Sequence, residues 1–298
     1  MIYHRSVLLS ESTEGLAIQP DGIYVDATFG GGGHSREILN HLSTGKLIAF
    51  DQDAEALENR IDHPNLIIVH SNFRHIKNFL RLYNVLPVNG ILADLGISSY
   101  QIDSGDRGFS TRFEGKLDMR MDQRQKLHAG LIVNDYPEER LRSIFREYGE
   151  VDHKGKAAAL IVSARKQNPI KTTTDLADLL KPLASRGKEH KYLAQVFQAL
   201  RIEVNQELDA LKEFLMQSVD LLVPGGRLVV ISYHSLEDKL VKNFFRSGNW
   251  EGEVKKDFYG NVLAPLRVVN RKPVTPGEEE VKENPRARSA RLRIAQKR

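Results

Sequence analysis

The 298-residue sequence contains no cysteine. Disulfide bonds and thiolate metal sites are therefore excluded. No apolar run approaches the ~20 residues that a membrane-spanning helix requires, and residues Met1–Ser6 lack the apolar core of a signal peptide. We therefore expect a soluble, cytoplasmic protein with no membrane partner.

Several nucleotide-binding and catalytic motifs are also missing. The dinucleotide motif G-x-G-x-x-G fails, because its sixth position is Ser35 when counted from Gly30 and Arg36 when counted from Gly31. No lysine follows the glycines as in a phosphate-binding loop, and the hydrolase motif G-x-S-x-G would need glycine at Tyr100. There is no His-Glu-x-x-His motif and the ten histidines are scattered, so we expect no metal.

The composition is that of a folded, soluble chain, with 41% apolar and 28% charged residues. The net charge is only +4, from 43 basic and 39 acidic residues. The basic residues nevertheless concentrate at one place, because residues 285–298 contain six of them and no acid. Such a run is either a solvated tail or a surface that contacts phosphates.

Short apolar runs alternate with helical spacing, which predicts an α/β fold with a parallel sheet covered on both faces. The expected strands are Ile23–Phe29, Leu47–Asp51, Leu66–His70, Gly90–Leu95 and Arg227–Tyr233. The expected helices beside them are Ser35–Leu42, Ala54–Ile61, Ile76–Tyr83, Glu207–Leu222 and Leu236–Phe245. Arg291–Ala295, in which apolar residues and arginines alternate, fits an edge strand.

The interval between the fourth and fifth strands is 131 residues long, far more than one crossover helix needs. Part of it must be an insertion. Helical spacing recurs there at Glu138–Tyr148, Lys156–Lys166, Thr174–Leu183 and Tyr192–Val204, the third with a capping signal at Thr174. We expect residues 104–200 to form an all-helical domain inserted into an α/β domain made of residues 1–103 and 201–298.

Four consecutive glycines between the first strand and the first helix form the clearest ligand signal. Gly30–Gly33 serve a tight turn or let a ligand approach the backbone, and four exceed what a turn needs. Asp51 ends the second strand about 20 residues later, where an acid accepts hydrogen bonds from ribose hydroxyls. Asp26 lies below the loop and either orients it or faces the charged end of the ligand. We expect a ligand with a ribose and no pyrophosphate.

A second polar segment, Asp94–Gln101, follows the fourth strand. Open α/β sheets bind ligands at the carboxyl ends of their strands, so this segment is either a catalytic loop or an ordinary polar turn. His34 and His234 also lie at strand ends, where each has either a structural or a catalytic role.

Eight sequence blocks resemble one known family, and they run in order from one end of the chain to the other. The blocks are His4–Leu9, Asp26–Ser35, Asp94–Ser99, Arg107–Ser110, Leu117–Asp122, Phe197–Ile202, His234–Asp238 and Asn284–Ala290. Together they resemble the bacterial 16S ribosomal RNA cytosine-N4 methyltransferases. The resemblance implies a Rossmann-like class I methyltransferase sheet with an inserted all-helical domain. It also implies methyl transfer from S-adenosyl-L-methionine to a cytosine N4 in 16S ribosomal RNA of the small ribosomal subunit.

The resemblance also implies roles for individual residues. It assigns cofactor binding to Gly32, Gly33, His34, Asp51, Phe73, Asp94 and Gln101. Position, not the resemblance, makes Arg107, Phe109 and Arg120 candidate RNA contacts just after the polar segment, although they fit a loop packed on the insertion equally well. Charge makes Arg286, Arg288, Arg291 and Arg293 candidates for contacts with RNA phosphates. Tyr100 stands where the family usually has proline, which leaves the local shape of the loop open.

The missing cysteine limits the reaction without reference to any family. Methylation of pyrimidine carbon 5 ordinarily uses a thiolate, so the target atom here should be nitrogen or oxygen. Asp94 is the candidate catalytic residue, as a hydrogen-bond acceptor for the amine, or else it contacts the cofactor only. The alternatives are a methyltransferase of DNA or of a small molecule, a ribosome-assembly factor without activity, and a nicotinamide oxidoreductase. The sequence leaves a monomer and a homodimer open.

Overall fold

The computed structural model describes residues 6–298. The block His4–Leu9 and the Met1–Ser6 segment therefore lie partly outside the described residues. The chain divides into two compact units. The first, here called the sheet unit, runs to Gly96 and resumes at Leu208, and the second, the helical unit, spans Ile97–Glu207. The expected insertion, residues 104–200, falls inside the helical unit, whose ends extend further on both sides.

The sheet unit is built on seven strands in the order β3-β2-β1-β4-β5-β7-β6. The strands are β1 (Ile23–Asp26), β2 (Lys46–Asp51), β3 (Leu66–His70), β4 (Val88–Asp94), β5 (Leu222–Ser232), β6 (Leu266–Val268) and β7 (Arg291–Lys297). The first five strands are parallel, while β7 runs antiparallel to both β5 and β6. The predicted α/β fold with a largely parallel sheet is confirmed.

Twelve α-helices occur in the described part of the chain. They are α1 (Leu9–Leu16), α2 (Gly33–Asn40), α3 (Ile76–Leu82), α4 (Ser99–Asp103), α5 (Ala129–Asp135), α6 (Glu138–Glu147), α7 (Lys154–Arg165), α8 (Thr173–Leu180), α9 (Glu189–Asn205), α10 (Glu207–Leu221), α11 (Ser235–Ser247) and α12 (Glu278–Glu283). Within residues 6–298, none of the helices combines the length and the apolar content needed to cross a bilayer.

Helices cover both faces of the sheet because successive strand residues point to opposite sides. Ile48 of β2 joins a core that includes Leu80 of α3 and Phe214 of α10. Its neighbour Leu47 joins a different core that includes Ile38 of α2. Burial on both faces explains why these strands are apolar along nearly their whole length.

The helical unit has its own core, to which α5 to α9 all contribute. The side chains of Ile132, Phe145, Ile161, Leu176 and Leu200 are 0–1% exposed. A core of this kind is what allows an inserted segment to fold as a separate unit.

The structure corrects four details of the sequence prediction. The first strand ends at Asp26 rather than at Phe29, and segment 54–61 contains only a 3-10 turn, Ala56–Asn59. That turn is short because Asn59 Nδ2 donates to the carbonyls of Ala56 and Gly30 and closes it.

The other two corrections concern a cap and a strand. Thr172, not Thr174, caps α8, since its Oγ1 accepts from Asp175 N and the Asp175 side chain accepts from Thr172 N. Strand β7 is not at the edge of the sheet, because β6 pairs along its outer side.

Candidate active site

Three aspartates end three neighbouring strands of the sheet unit. Asp26, Asp51 and Asp94 are the last residues of β1, β2 and β4, which lie side by side in the order β2-β1-β4. Parallel strands bring their carboxyl ends to one edge, so the three carboxyl groups gather where open α/β sheets bind ligands.

The glycine loop between β1 and α2 folds tightly above this edge. Gly32 has a φ of 75°, and a Cβ there would lie 3.0 Å from the Phe29 ring. The positive φ favours glycine at Gly32, whereas a Cβ on Gly33 would lie 2.0 Å from the Ser6 hydroxyl, which would have to rotate away. At Gly31, in contrast, a Cβ would meet nothing within 4 Å. The loop therefore has one open side.

Helix α2 begins at this loop without a side-chain cap, because its N-cap residue is Gly32. The first backbone N–H groups of a helix have no partner inside the helix, and they attract an anion or a carboxylate. The open side of the loop and the uncapped helix end together suit an oxygen-rich ligand.

Asp51 holds the glycine loop in place. One carboxylate oxygen accepts from Gly30 N at 2.8 Å, and the other accepts from Asp53 N at 2.9 Å. Burial raises the pKa of Asp51 to about 6, against the opposing effect of these two backbone donors. Each oxygen keeps a further lone pair, so the carboxylate can accept hydroxyl donors as well.

Asp26 is fully buried beneath the loop. It accepts a hydrogen bond from the Ser35 hydroxyl at 2.6 Å and one from Thr28 N at 3.1 Å. Burial raises its pKa to about 6. The Thr28 hydroxyl in turn accepts from Asp94 N at 2.7 Å, which links the ends of β1 and β4. These bonds fit the first of its two expected roles, orientation of the loop, and contact with the charged end of the ligand remains a prediction.

Asp94 has two polar neighbours at its carboxylate. The Tyr233 hydroxyl donates to Oδ1 at 2.8 Å, and His34 Nδ1 lies 3.9 Å from Oδ2, too far for a direct hydrogen bond. Burial raises the pKa of Asp94 to about 6, while His34 and Tyr233 act in the opposite direction. One carboxylate oxygen is thus fixed, and the other faces a histidine across a gap.

The protonation state of His34 follows from its second nitrogen. Nε2 lies 3.1 Å from the carbonyl oxygen of Val7, which can only accept, so Nε2 bears the proton. Burial lowers the pKa of His34, which keeps the imidazole neutral near pH 7. Nδ1 then presents a lone pair toward Asp94. Two acceptors separated by 3.9 Å form a site for a group with two N–H donors, such as an amine.

Comparison with known proteins finds relatives that match this chain over its full length. Residues 1–298 match the MraW methylase family. The chain belongs to this family. It is 56% identical to a protein of Christiangramia forsetii named ribosomal RNA small subunit methyltransferase H, over 100% of this chain and 98% of that protein. A protein of the same name from Phocaeicola vulgatus is 57% identical over the same shares of both chains.

Among solved structures, an rRNA methylase from Streptococcus thermophilus aligns with 100% of this chain and 98% of its own, at 13% identity and a TM-score of 0.45. A similarity this low says nothing further about function. Family membership confirms the predicted enzyme class, an S-adenosylmethionine-dependent methyltransferase.

The strand ends of this MraW-family chain fit that cofactor chemically. S-adenosylmethionine has ribose hydroxyls, an amino-acid carboxylate and positive charges on its sulfonium and ammonium groups. Asp51 would hold the hydroxyls, and the uncapped end of α2 would hold the carboxylate. Asp26 and Asp94 supply negative charge, and no cationic side chain among residues 6–298 binds either of them.

The other cofactor residues predicted from the sequence are placed as follows. Phe73 starts the 3-10 turn after β3, and its ring meets that of Phe214 edge-on at 5.1 Å. Gln101 belongs to the helical unit, where its side chain and Ser98 form the capping box of α4. For both residues the cofactor contact remains a prediction.

The structure does not support RNA contacts by Arg107 and Phe109, which are 6% and 8% exposed. The Arg107 guanidinium donates to the carbonyl of Arg120 and lies 5.8 Å from the Phe109 ring centre. Arg120 forms a bidentate pair with Asp118 and also donates to two loop carbonyls. These residues shape a loop inside the helical unit, the second of the two expected roles.

The arginines of the basic C-terminal segment, residues 285–298, also differ in burial and pairing. Arg293 is buried and forms a bidentate pair with Asp238 at 2.7 and 3.1 Å, so the structure does not support its expected RNA contact. Arg291 also binds Asp238, at 2.9 Å, but its side chain is 52% exposed. Arg288 is exposed and Arg286 is half-buried. RNA contacts by Arg286, Arg288 and Arg291 remain predictions.

Sequence reasoning missed Tyr233, the donor to Asp94. It follows β5 directly, next to β4 in the sheet, and its hydroxyl is buried enough that its pKa lies well above the usual value. The available signal was an aromatic residue at the end of the strand beside Asp94. His234, in contrast, has a structural role, because its imidazole is the N-cap acceptor of α11.

Proposed function

We propose that this chain transfers the methyl group of S-adenosylmethionine to the exocyclic N4 amine of a cytosine in 16S ribosomal RNA of the small ribosomal subunit. The observation that carries the proposal is the acceptor pair Asp94 Oδ2 and His34 Nδ1, which suits an amine nucleophile. The choice of RNA is supported by full-length relatives that are named ribosomal RNA small subunit methyltransferases.

An exocyclic cytosine amine is a weak nucleophile, because its lone pair is delocalised into the ring. When bound, S-adenosylmethionine supplies an electrophilic methyl group. Asp94 Oδ2 and His34 Nδ1 accept the two N–H hydrogens of the amine and orient its remaining lone pair. The cytosine must leave the stack of neighbouring bases for its amine to reach a strand-end site of this kind.

Asp94 also receives the proton that the amine loses. A carboxylate whose pKa is raised to about 6 is a better base than an ordinary aspartate, yet it remains ionised near pH 7.5. Tyr233 fixes Oδ1 and leaves Oδ2 directed at the amine. His34 stays neutral because burial lowers its pKa, so its Nδ1 accepts a hydrogen bond from the amine without taking the proton.

The helical unit, residues 97–207, is proposed as the part that recognises the RNA. A separate core of five helices is more than a small-molecule substrate requires. The sheet unit would then supply the cofactor site and the acceptor pair.

The test is mass-spectrometric mapping of methylated cytosine in ribosomal RNA from cells with and without this protein. One cytosine of 16S RNA should lose its N4-methyl group when the protein is absent. Purified protein with tritiated cofactor should label naked 16S RNA or assembled small subunits, and excess DNA should not compete. An unchanged methylation map, or label on DNA alone, would contradict the proposal.

A further inference from the structure

The most exposed aromatic residues of the described chain lie on one hairpin. Residues 254–263, here called the aromatic hairpin, pair through Lys256 and Val262 and through a bond from Leu263 N to Lys255 O at 2.9 Å. The segment belongs to the sheet unit, between α11 and β6. It contributes nothing to the strand-end site.

The tip of the hairpin has a defined shape. The Asp257 carboxylate accepts from Tyr259 N at 2.9 Å, from Asn261 N at 2.8 Å and from Asn261 Nδ2 at 2.9 Å. These bonds lower the pKa of Asp257, the bond from the Asn261 side chain most of all. The carboxylate is thus used within the turn, which holds the two residues before Gly260 in a fixed arrangement.

Those two residues are almost fully exposed. Phe258 is 97% exposed and Tyr259 86% exposed, with ring centres 5.6 Å apart and ring planes at 87°. Rings of this size are rarely left in water when a fold can bury them, and an ordered turn that displays two of them points to a partner. Since they stand at right angles, the rings present separate faces rather than one flat patch.

Two lysines, Lys255 and Lys256, precede the turn, and both are exposed. Aromatic faces beside cationic side chains are how proteins bind single-stranded nucleic acid, with bases stacked on the rings and phosphates near the cations. The same segment also exposes Val254 and Leu263, which are 38% and 62% exposed, so a protein or lipid partner is an outcome that the test must distinguish. The two lysines beside the rings favour a polyanion.

We propose that the aromatic hairpin binds unpaired nucleotides of the RNA substrate, with bases stacked on Phe258 and Tyr259 and phosphates held by Lys255 and Lys256. The inference rests on the proposed function and adds a substrate contact outside the strand-end site. It assigns the hairpin to binding and not to the chemical step.

The test compares two double variants with wild type on 16S RNA and on a short single-stranded RNA. Phe258→Ala with Tyr259→Ala should raise KM and the RNA Kd about thirtyfold or more, with kcat at saturating RNA and the cofactor Kd unchanged. Lys255→Gln with Lys256→Gln should reduce the slope of log affinity against log salt by about 1.4, from ~0.7 for each phosphate contact.

Matched controls come from exposed positions on helices of the same unit. Met216→Ala removes an apolar side chain that is 59% exposed, and Lys239→Gln with Lys242→Gln removes two exposed charges. Both controls should leave KM and the salt slope unchanged. Thermal unfolding of every variant should match wild type, because the hairpin side chains are exposed.

The outcomes separate the two proposals. If wild type does not label 16S RNA, the proposed function fails. If wild type labels RNA but the aromatic double variant keeps the same KM and RNA Kd, the hairpin proposal fails alone. The hairpin proposal also fails if wild type self-associates or binds lipid vesicles, the aromatic double variant does neither, and the double variant keeps the RNA affinity of wild type.

Discussion

The sheet unit buries aspartates in two different settings. Asp26, Asp51 and Asp94 end strands, and within residues 6–298 no arginine or lysine binds their carboxyl groups. Burial raises the pKa of each to about 6. Asp238 of α11 is buried and binds Arg291 and Arg293, which hold its pKa below the ordinary value. The Asp94 side chain is 22% exposed and that of Asp238 only 8%, so the guanidinium partner, not greater exposure, accounts for the lowered pKa of Asp238.

The difference separates a binding site from a structural ion pair. A buried carboxylate with its own guanidinium has its charge balanced within the fold, and little is gained from a ligand. Buried carboxyl groups that lack a cation make the ligand-free protein less stable when they ionise, and a cationic ligand removes that cost. Four predictions test this distinction, beginning with the largest effect.

Asp94→Asn should lower the single-turnover rate by about 10²–10⁴-fold, because the amide cannot take the proton of the amine. Cofactor affinity should change far less. Rapid-quench methylation and calorimetric cofactor binding measure the two effects separately. A rate near that of wild type with intact cofactor binding would restrict Asp94 to a cofactor contact.

Asp238→Ala should lower the free energy of unfolding by about 3–5 kcal/mol at pH 7, since Arg293 would be left buried without its partner. The contribution of Asp238 is present above its ordinary pKa of about 4 and is lost as the pH falls through the lowered value. Denaturant unfolding measures the change.

The matched control for Asp238 is Asp220→Ala, which breaks an exposed pair with Lys77 and should cost less than about 1 kcal/mol. Methylation per folded molecule should persist in both variants. Equal costs for the two substitutions would show that the buried ion pair has no special structural role.

Asp26→Asn should stabilise the ligand-free protein at pH 8 by about 2–3 kcal/mol relative to wild type, and by almost nothing at pH 4. With a raised pKa, the stabilising contribution of Asp26 is complete below about pH 4 and is lost as the pH rises through about 6. An amide keeps partners for Ser35 and Thr28 without the buried charge. Denaturant unfolding at pH 4 and pH 8 measures the difference in stability between the variant and wild type. The same difference at both pH values would contradict this account.

Tyr233→Phe should shift the pH at half-maximal single-turnover rate upward by about one unit, because Asp94 loses the donor that favours its ionised form. The rate at pH 9 should recover toward that of wild type. His34, Asp26 and Glu237 also influence this carboxylate and remain unchanged in the variant. A uniform loss of rate at every pH would mean that Tyr233 has only a structural role.

Local patterns in the sequence were enough to predict the sheet. Strands β2 to β4 are apolar along most of their length, and the glycine run and Asp51 marked the ligand edge. Strand β6 was missed, because three residues after Pro265 give no periodic signal. The position of β7 within the sheet was wrong for the same reason, since it depends on pairing with β6.

The partners of charged side chains could not be predicted from local patterns. Arg293 and Asp238 are 55 positions apart, and Tyr233 and Asp94 are 139 apart. Arginines in a basic run appear available for RNA until the fold brings an acid to one of them. Only the tertiary structure distinguishes Arg293, which is paired and buried, from Arg288, which is exposed.

The most direct test of the central claim is calorimetry of S-adenosylmethionine binding to the ligand-free protein at pH 6, in buffers that differ in ionisation enthalpy. If the positive charges of S-adenosylmethionine bind near the strand-end carboxyl groups, cofactor binding releases protons from these groups at pH 6. The affinity for the cofactor then rises between pH 5 and pH 7. Asp26→Asn reduces the proton release, while Asp238→Asn leaves it unchanged. Binding without proton release, or with the same release in both variants, would contradict the account.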